Sequence, residues 1–240
     1  MDRSYLEGNG VDVNAGLELL GDMDMYNETM GDFLEEINEK LPKLVEYKNN
    51  NDMPNYAIIV HSIKSDSKYL GFTKLAELAY NHEMKSKAND TSYVNANYDE
   101  LQKEIKAAGE AVKQEAYEKA YDHVFQILDN LEKLLNDNRY LEGNEITEED
   151  KRLYDILIRF DAVYYFKQRL NRKALRDYDN LWNYAKELYS IPEYKEFADF
   201  EKIKQEELLG TKEENPYQIV GLGPDESYWN EPNNRAEKFA

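Results

Sequence analysis

Along most of the chain, apolar side chains return every three or four residues, and no stretch sustains an alternating period of two. This spacing predicts helices and no sheet. A short apolar segment runs from Val11 to Leu20 and stops at Gly21. Asp24 is placed to cap a long helix in which Met30, Phe33, Leu34, Ile37, Leu41, Leu44 and Val45 share a face, with Pro42 expected to kink it. Asn49 to Asp52 read as a turn. Pro54 stands near the first position of the next helix, where its missing N–H is tolerated. Gly71 is expected to end that helix or to allow close packing, and Thr73 to cap a helix over 74–87 with Leu75, Leu78, Ala79 and Met84 as its apolar positions. From Thr91 or Ser92 the pattern runs through Tyr98, Ile105 and Tyr117 to Leu135, with Gly109 its one weak point. A compositional seam is placed between Lys103 and Lys113. Thr147 and Asp150 have the spacing of a capping box, ahead of Leu153, Ile156, Leu157, Phe160, Val163 and Tyr164 on one side. Further helices begin near Asp179, Ile191 and Phe200, and the chain turns irregular past Gly210. The expected fold class is all-α.

The helix from Tyr56 to Gly71 carries the first candidate chemistry. At about 100° per residue, Tyr56, Ile59, Val60, Ile63, Ser67 and Leu70 fall on one side, and Ala57, His61, Lys64, Ser65 and Lys68 on the other. His61 therefore faces away from the apolar stripe. Ala57 and Ser65 are short neighbours one turn away, and Lys64 and Lys68 bring positive charge towards the ring. Such a histidine suits a nucleophile that accepts an anion; it equally describes a surface histidine on an ordinary amphipathic helix.

Composition narrows the choices. The formal charge of −19 argues against nucleic acid and anionic membrane as partners. With no cysteine, the chain has no disulfide, no thiolate metal site and no sulfur nucleophile of its own. Three histidines make a multi-histidine metal site an unpromising expectation. No early apolar run resembles a signal peptide and no stretch has the length to span a bilayer, so a cytoplasmic location is expected.

The run His61-Ser62-Ile63-Lys64-Ser65, followed by Leu70-Gly71, resembles the signature of histidine phosphotransfer (HPt) domains. The acidic helix bearing Phe33-Leu34 ahead of it, and Leu75-Ala76-Glu77-Leu78-Ala79 with His82-Glu83 behind, resemble that family's flanks, and the resemblance covers roughly residues 11–105. Ser65 stands where the family usually has glycine. The resemblance implies a four-helix bundle in which His61 accepts a phosphoryl group from a response-regulator receiver domain and passes it to another. Lys64 would offset phosphate charge, with Ser65, Lys68 and Gly71 in support. Mg²⁺ and the carboxylates would come from the receiver, so no permanently bound cofactor is implied. His82 reads as a packing or surface residue.

A second resemblance covers the chain from about Ala108 onward. Gln114-Glu115-Ala116-Tyr117-Glu118, Arg139-Tyr140-Leu141-Glu142-Gly143, Arg159-Phe160-Asp161-Ala162-Val163-Tyr164 and Asp177-Tyr178-Asp179-Asn180-Leu181-Trp182 resemble the C-terminal helical domain of glutathione transferases of the glutathionyl-hydroquinone reductase (Xi) group. The tail keeps Ile203-Lys204, Asn215-Pro216, Gly223-Pro224, Trp229 and Arg235. In that family the glutathione site and the catalytic cysteine lie in a thioredoxin-like domain. The paired tyrosines of the family align here with Glu207 and Leu208, which leaves Tyr164 as the residual binding candidate. Arg159 with Asp161 reads as fixing helix packing.

Together these resemblances imply an HPt-like domain over 1–106 and a glutathione-transferase-like helical domain over 107–240, with a possible homodimer through the latter. The expected function is a phosphohistidine carrier in a two-component phosphorelay. The alternatives are a glutathione transferase or glutathionyl-hydroquinone reductase-like protein, or an inactive structural hybrid.

Overall fold

The computed structural model describes residues 3–240. It is all-α. Among the described residues the only β pairing is an isolated bridge between Tyr140 and Gly143. Tyr5 to Gly8 are helical. The helices are α1 (Arg3–Gly8), α2 (Val13–Leu20), α3 (Met23–Asn49), α4 (Met53–Tyr69), α5 (Thr73–Lys87), α6 (Thr91–Asp137), α7 (Glu148–Arg159), α8 (Tyr165–Lys167), α9 (Asp179–Tyr189), α10 (Pro192–Lys195), α11 (Phe200–Leu208) and α12 (Arg235–Lys238). A π-helical turn, Phe160–Tyr164, joins α7 to α8.

The chain packs as two compact units, Met1–Ala120 and Tyr121–Ala240, so the division falls inside α6. That helix continues without interruption through Gly109. The core of the first unit gathers Phe33, Ile37 and Leu44 of α3 with Tyr56, Val60 and Ile63 of α4, and it takes in Leu75 and Ala79 of α5 and Leu101, Ile105 and Val112 of α6. The core of the second gathers Phe125 and Leu135 with Leu157, Phe160, Val163, Leu181, Tyr184 and Leu188.

Local chemistry corrects several expected boundaries. Asp22, not Asp24, caps α3, accepting from the Met25 N–H at 2.9 Å, because only a residue outside the first turn can turn its carboxylate back onto the free N–H groups. Pro42 lies inside α3, which continues past it to Asn49. Thr73 is already helical and Phe72 precedes it with no side-chain cap. Asp90 supplies the cap of α6 by accepting from Tyr93 N–H at 3.0 Å. Met84 is exposed, as are Ile156 and Phe197, and Ala57, expected beside His61 on the open face, is buried.

Buried polar groups fix the second unit. Asp150 is fully buried; it accepts from the Thr147 N–H and hydroxyl, the Leu141 N–H and the Tyr184 hydroxyl, all between 2.8 and 3.0 Å. Arg159 pairs with Asp155 instead of Asp161, and Asp161 accepts from the Leu175 N–H at 2.8 Å. Three buried cations hold the irregular tail. Lys204 donates to Leu222 O and Glu226, Lys186 to Pro232 O, and Arg235 to carbonyls at the end of α6. Trp229 completes the clamp against Trp182, Tyr189 and Phe200.

Candidate functional site

In the first unit α4 is set between an Asp52 cap, which accepts from Asn55 N–H, and the left-handed Gly71. Tyr56, Val60, Ile63 and Ser67 point into the core, which turns His61 outward; its side chain is 56% exposed. Ser65 is spent on its own helix, donating to His61 O at 3.0 Å, and Lys68 is exposed.

The residue that organises this site is Glu83 on α5. Its carboxylate is buried, yet Oε1 lies 2.8 Å from His61 Nδ1 and 2.5 Å from Lys87 Nζ, and Oε2 accepts from Lys64 Nζ at 2.7 Å. Burial by itself raises the Glu83 pKa, but the hydrogen bonds from Lys64, Lys87 and His61 outweigh it and hold the carboxyl at about 2. His61 Nδ1 lies 2.8 Å from Glu83 Oε1 and 3.3 Å from Lys64 Nζ; in the tautomer whose Nδ1–H donates to Glu83, Nε2 keeps the lone pair. Lys64 is therefore held on the carboxylate instead of standing free for an incoming anion. Periodicity could not single out Glu83, because its partners lie one helix away. Its neighbour His82 is fully buried, with Nδ1 2.8 Å from the Tyr56 hydroxyl, and burial pushes its pKa down. Beside His61 an apolar groove of about 570 Å³ is lined by Met53, Pro54, Ala57 and Ile58, with Lys87 at its edge.

The Glu83 network has a pH signature. Because the carboxyl is held well below its ordinary 4.5, its contribution to stability is complete above pH 4.5 and is lost as pH falls towards about 2. The Glu83 carboxyl carbon, followed by NMR, should titrate near 2; a midpoint near 4.5 would mean that the three donors do not hold it in solution.

In the second unit Tyr164 closes the π-helical turn and is half-buried. Burial raises its pKa, Arg159 opposes that, and Glu207 of α11 adds to it, so these side chains face one electrostatic neighbourhood. π-Turns inside helices recur at functional sites, and no sequence pattern announces one. Leu208, beside Glu207, packs against the core. Among the described residues no helix is long and apolar enough to cross a membrane, and no group of three or more carboxylate or histidine side chains could hold a metal.

The family model for the Hpt domain matches residues 23–134. Glutathionyl-hydroquinone reductase YqjG of Escherichia coli is 36% identical over 142 residues, which cover 59% of this chain and 43% of that protein. Glutathionyl-hydroquinone reductase PcpF of Sphingobium chlorophenolicum is 34% identical over 127 residues, 53% of this chain and 41% of its own. The solved structure of a glutathione transferase from Gordonia bronchialis aligns with a TM-score of 0.51 at 42% identity, covering 53% of this chain and 40% of that one. The chain thus spans less than half the length of the curated relatives it matches. These relatives overturn the expected phosphorelay function: they are named glutathionyl-hydroquinone reductases and glutathione transferases, whereas the two-component reading stands on the Hpt match alone. The likeness this chain carries is therefore of two kinds, an Hpt-type segment and a glutathione-transferase-like segment over about half its length.

Proposed function

We infer that this protein is glutathione-transferase-like, of the glutathionyl-hydroquinone reductase kind, with residues 121–240 forming the side of the site that receives an aromatic acceptor. The observation that carries this reading is the 36% identity over 142 residues to a reductase of that name. Tyr164 supports it: a half-buried phenol whose pKa is raised stays protonated at neutral pH and can donate to an acceptor oxygen. Because the 240 residues contain no cysteine, the sulfur chemistry must enter with a thiol co-substrate or a thiol-bearing partner.

Calorimetric titration with a glutathionyl-hydroquinone, and separately with glutathione, tests the reading. The conjugate should bind, and Tyr164→Phe should weaken it about fivefold, the effect of one neutral hydrogen bond. No heat with either ligand at millimolar concentration would end the proposal.

A further inference from the structure

A cavity in the 121–240 unit gathers aromatic and charged side chains that the transferase reading does not use. It measures about 160 Å³ and is lined by the chain's only two tryptophans, Trp182 and Trp229, together with Tyr165, Phe166 and Tyr228. The rings do not form a slot. Trp182 and Trp229 meet at 71° with centroids 4.7 Å apart, and Tyr165 and Phe166 meet at 65°. Walls at steep angles make a box, which suits a compact rounded group better than a flat ring sandwiched between parallel faces.

Asp225 is the open carboxylate of this box. Asp161 also belongs to its lining, but burial pushes its pKa up and it already accepts from the Leu175 N–H, and Arg176 is the one guanidinium there. Asp225 is held below its ordinary range by the Ser227 hydroxyl and N–H, so it is ionised at neutral pH. Arg176 lies 5.6 Å from the Tyr228 centroid and Lys186 5.5 Å from that of Trp182, so these two rings already carry the chain's own cations, and the walls left to a ligand cation are those of Trp229, Tyr165 and Phe166 beside Asp225. Aromatic faces carry negative potential, and desolvated cations gain most from it. The net charge of −19 concentrates cations around the molecule as a whole.

We propose that this cavity is a binding site for a small alkylated ammonium group, of the quaternary kind carried by choline. The methyl groups would fill the angled aromatic walls, and the positive charge would face Asp225. The proposal stands apart from the transferase reading, since it needs neither glutathione nor Tyr164.

Both tryptophans line the site, so the fluorescence of the intact chain reports its occupancy directly. Choline chloride is titrated against 3,3-dimethylbutan-1-ol, its neutral isostere, with sodium chloride matching ionic strength. Choline should change the emission saturably and bind about tenfold more tightly than the alcohol. Asp225→Asn with Phe166→Leu, both at exposed positions, should weaken choline binding at least fivefold while leaving the unliganded spectrum and the urea midpoint unchanged. Equal affinity for the alcohol, no saturable response to choline, or undiminished binding by the double variant would each overturn the proposal.

Discussion

Gly71→Ala is expected to destabilise the first unit by about 2–5 kcal/mol, read as a fall in the urea midpoint at unchanged slope. Two costs act together. Gly71 sits at φ +78°, in the left-handed region where a Cβ meets its own carbonyl, at about 1–2 kcal/mol. A Cβ there would also stand 2.0 Å from Asp12 O and 2.7 Å from Asp12 C, which are backbone atoms and cannot swing aside. Asp12 is doubly tied, since its N–H donates to Gly71 O at 2.9 Å and its carboxylate caps α2 through Ala15 N–H. Relieving the clash therefore displaces the start of α2 from the end of α4. Gly109→Ala is the control of opposite sign: its Cβ would meet only Leu34 Cδ1 at 3.9 Å, inside an unbroken helix, and should stabilise by about 0.5–1 kcal/mol. A Gly71→Ala protein within 0.5 kcal/mol of the parent, by the same midpoint, would refute the close-approach account.

The contrast between these two glycines marks what the chain reveals by itself. Both were visible as breaks in the apolar pattern, and Gly71 was expected to end a helix or to allow close packing. Local order of this kind is legible because caps, turns and periodicity depend on neighbours within one or two turns. The approach of Asp12 to Gly71 lies fifty-nine residues away in sequence and leaves no local trace. Glu83 follows the same logic: its anchoring of His61 and Lys64 spans α4 and α5, and a glutamate on an amphipathic helix looks solvated until its partners are placed. On the outward face of α4 His61 is exposed as expected, whereas Ala57 is buried. Function was less legible than fold. The Hpt resemblance and the transferase resemblance each extend over about half the chain, but the relatives of assigned activity lie on the transferase side.

Arg235→Met should cost the second unit about 3–5 kcal/mol, lowering its melting midpoint by on the order of 10 °C. The last carbonyls of α6 have no partner within the helix, and at this end the backbone dipoles present negative charge. Arg235, fully buried, supplies what is missing: Nη1 donates to Leu135 O at 2.6 Å, and Nη2 donates to Asn138 O at 2.6 Å and Arg139 O at 2.5 Å. Burial lowers the guanidinium pKa and Glu187 opposes that, so the charge stays while its hydration is replaced by carbonyls. Methionine keeps most of the volume and leaves those oxygens without their charged donor, so the loss isolates the polar role. Arg235→Lys should recover only part, because one ammonium cannot span three carbonyls presented to a planar fork. Lys238→Ala, which removes exposed contacts to Asn136, Asn180 and the Phe239 ring, should change the midpoint by less than about 2 °C. Both tryptophans lie in this unit, so their emission follows its unfolding alone. If Arg235→Met melts within about 3 °C of the parent, the end of α6 is held by something other than this residue, and the tail is a passenger on the unit instead of its clasp.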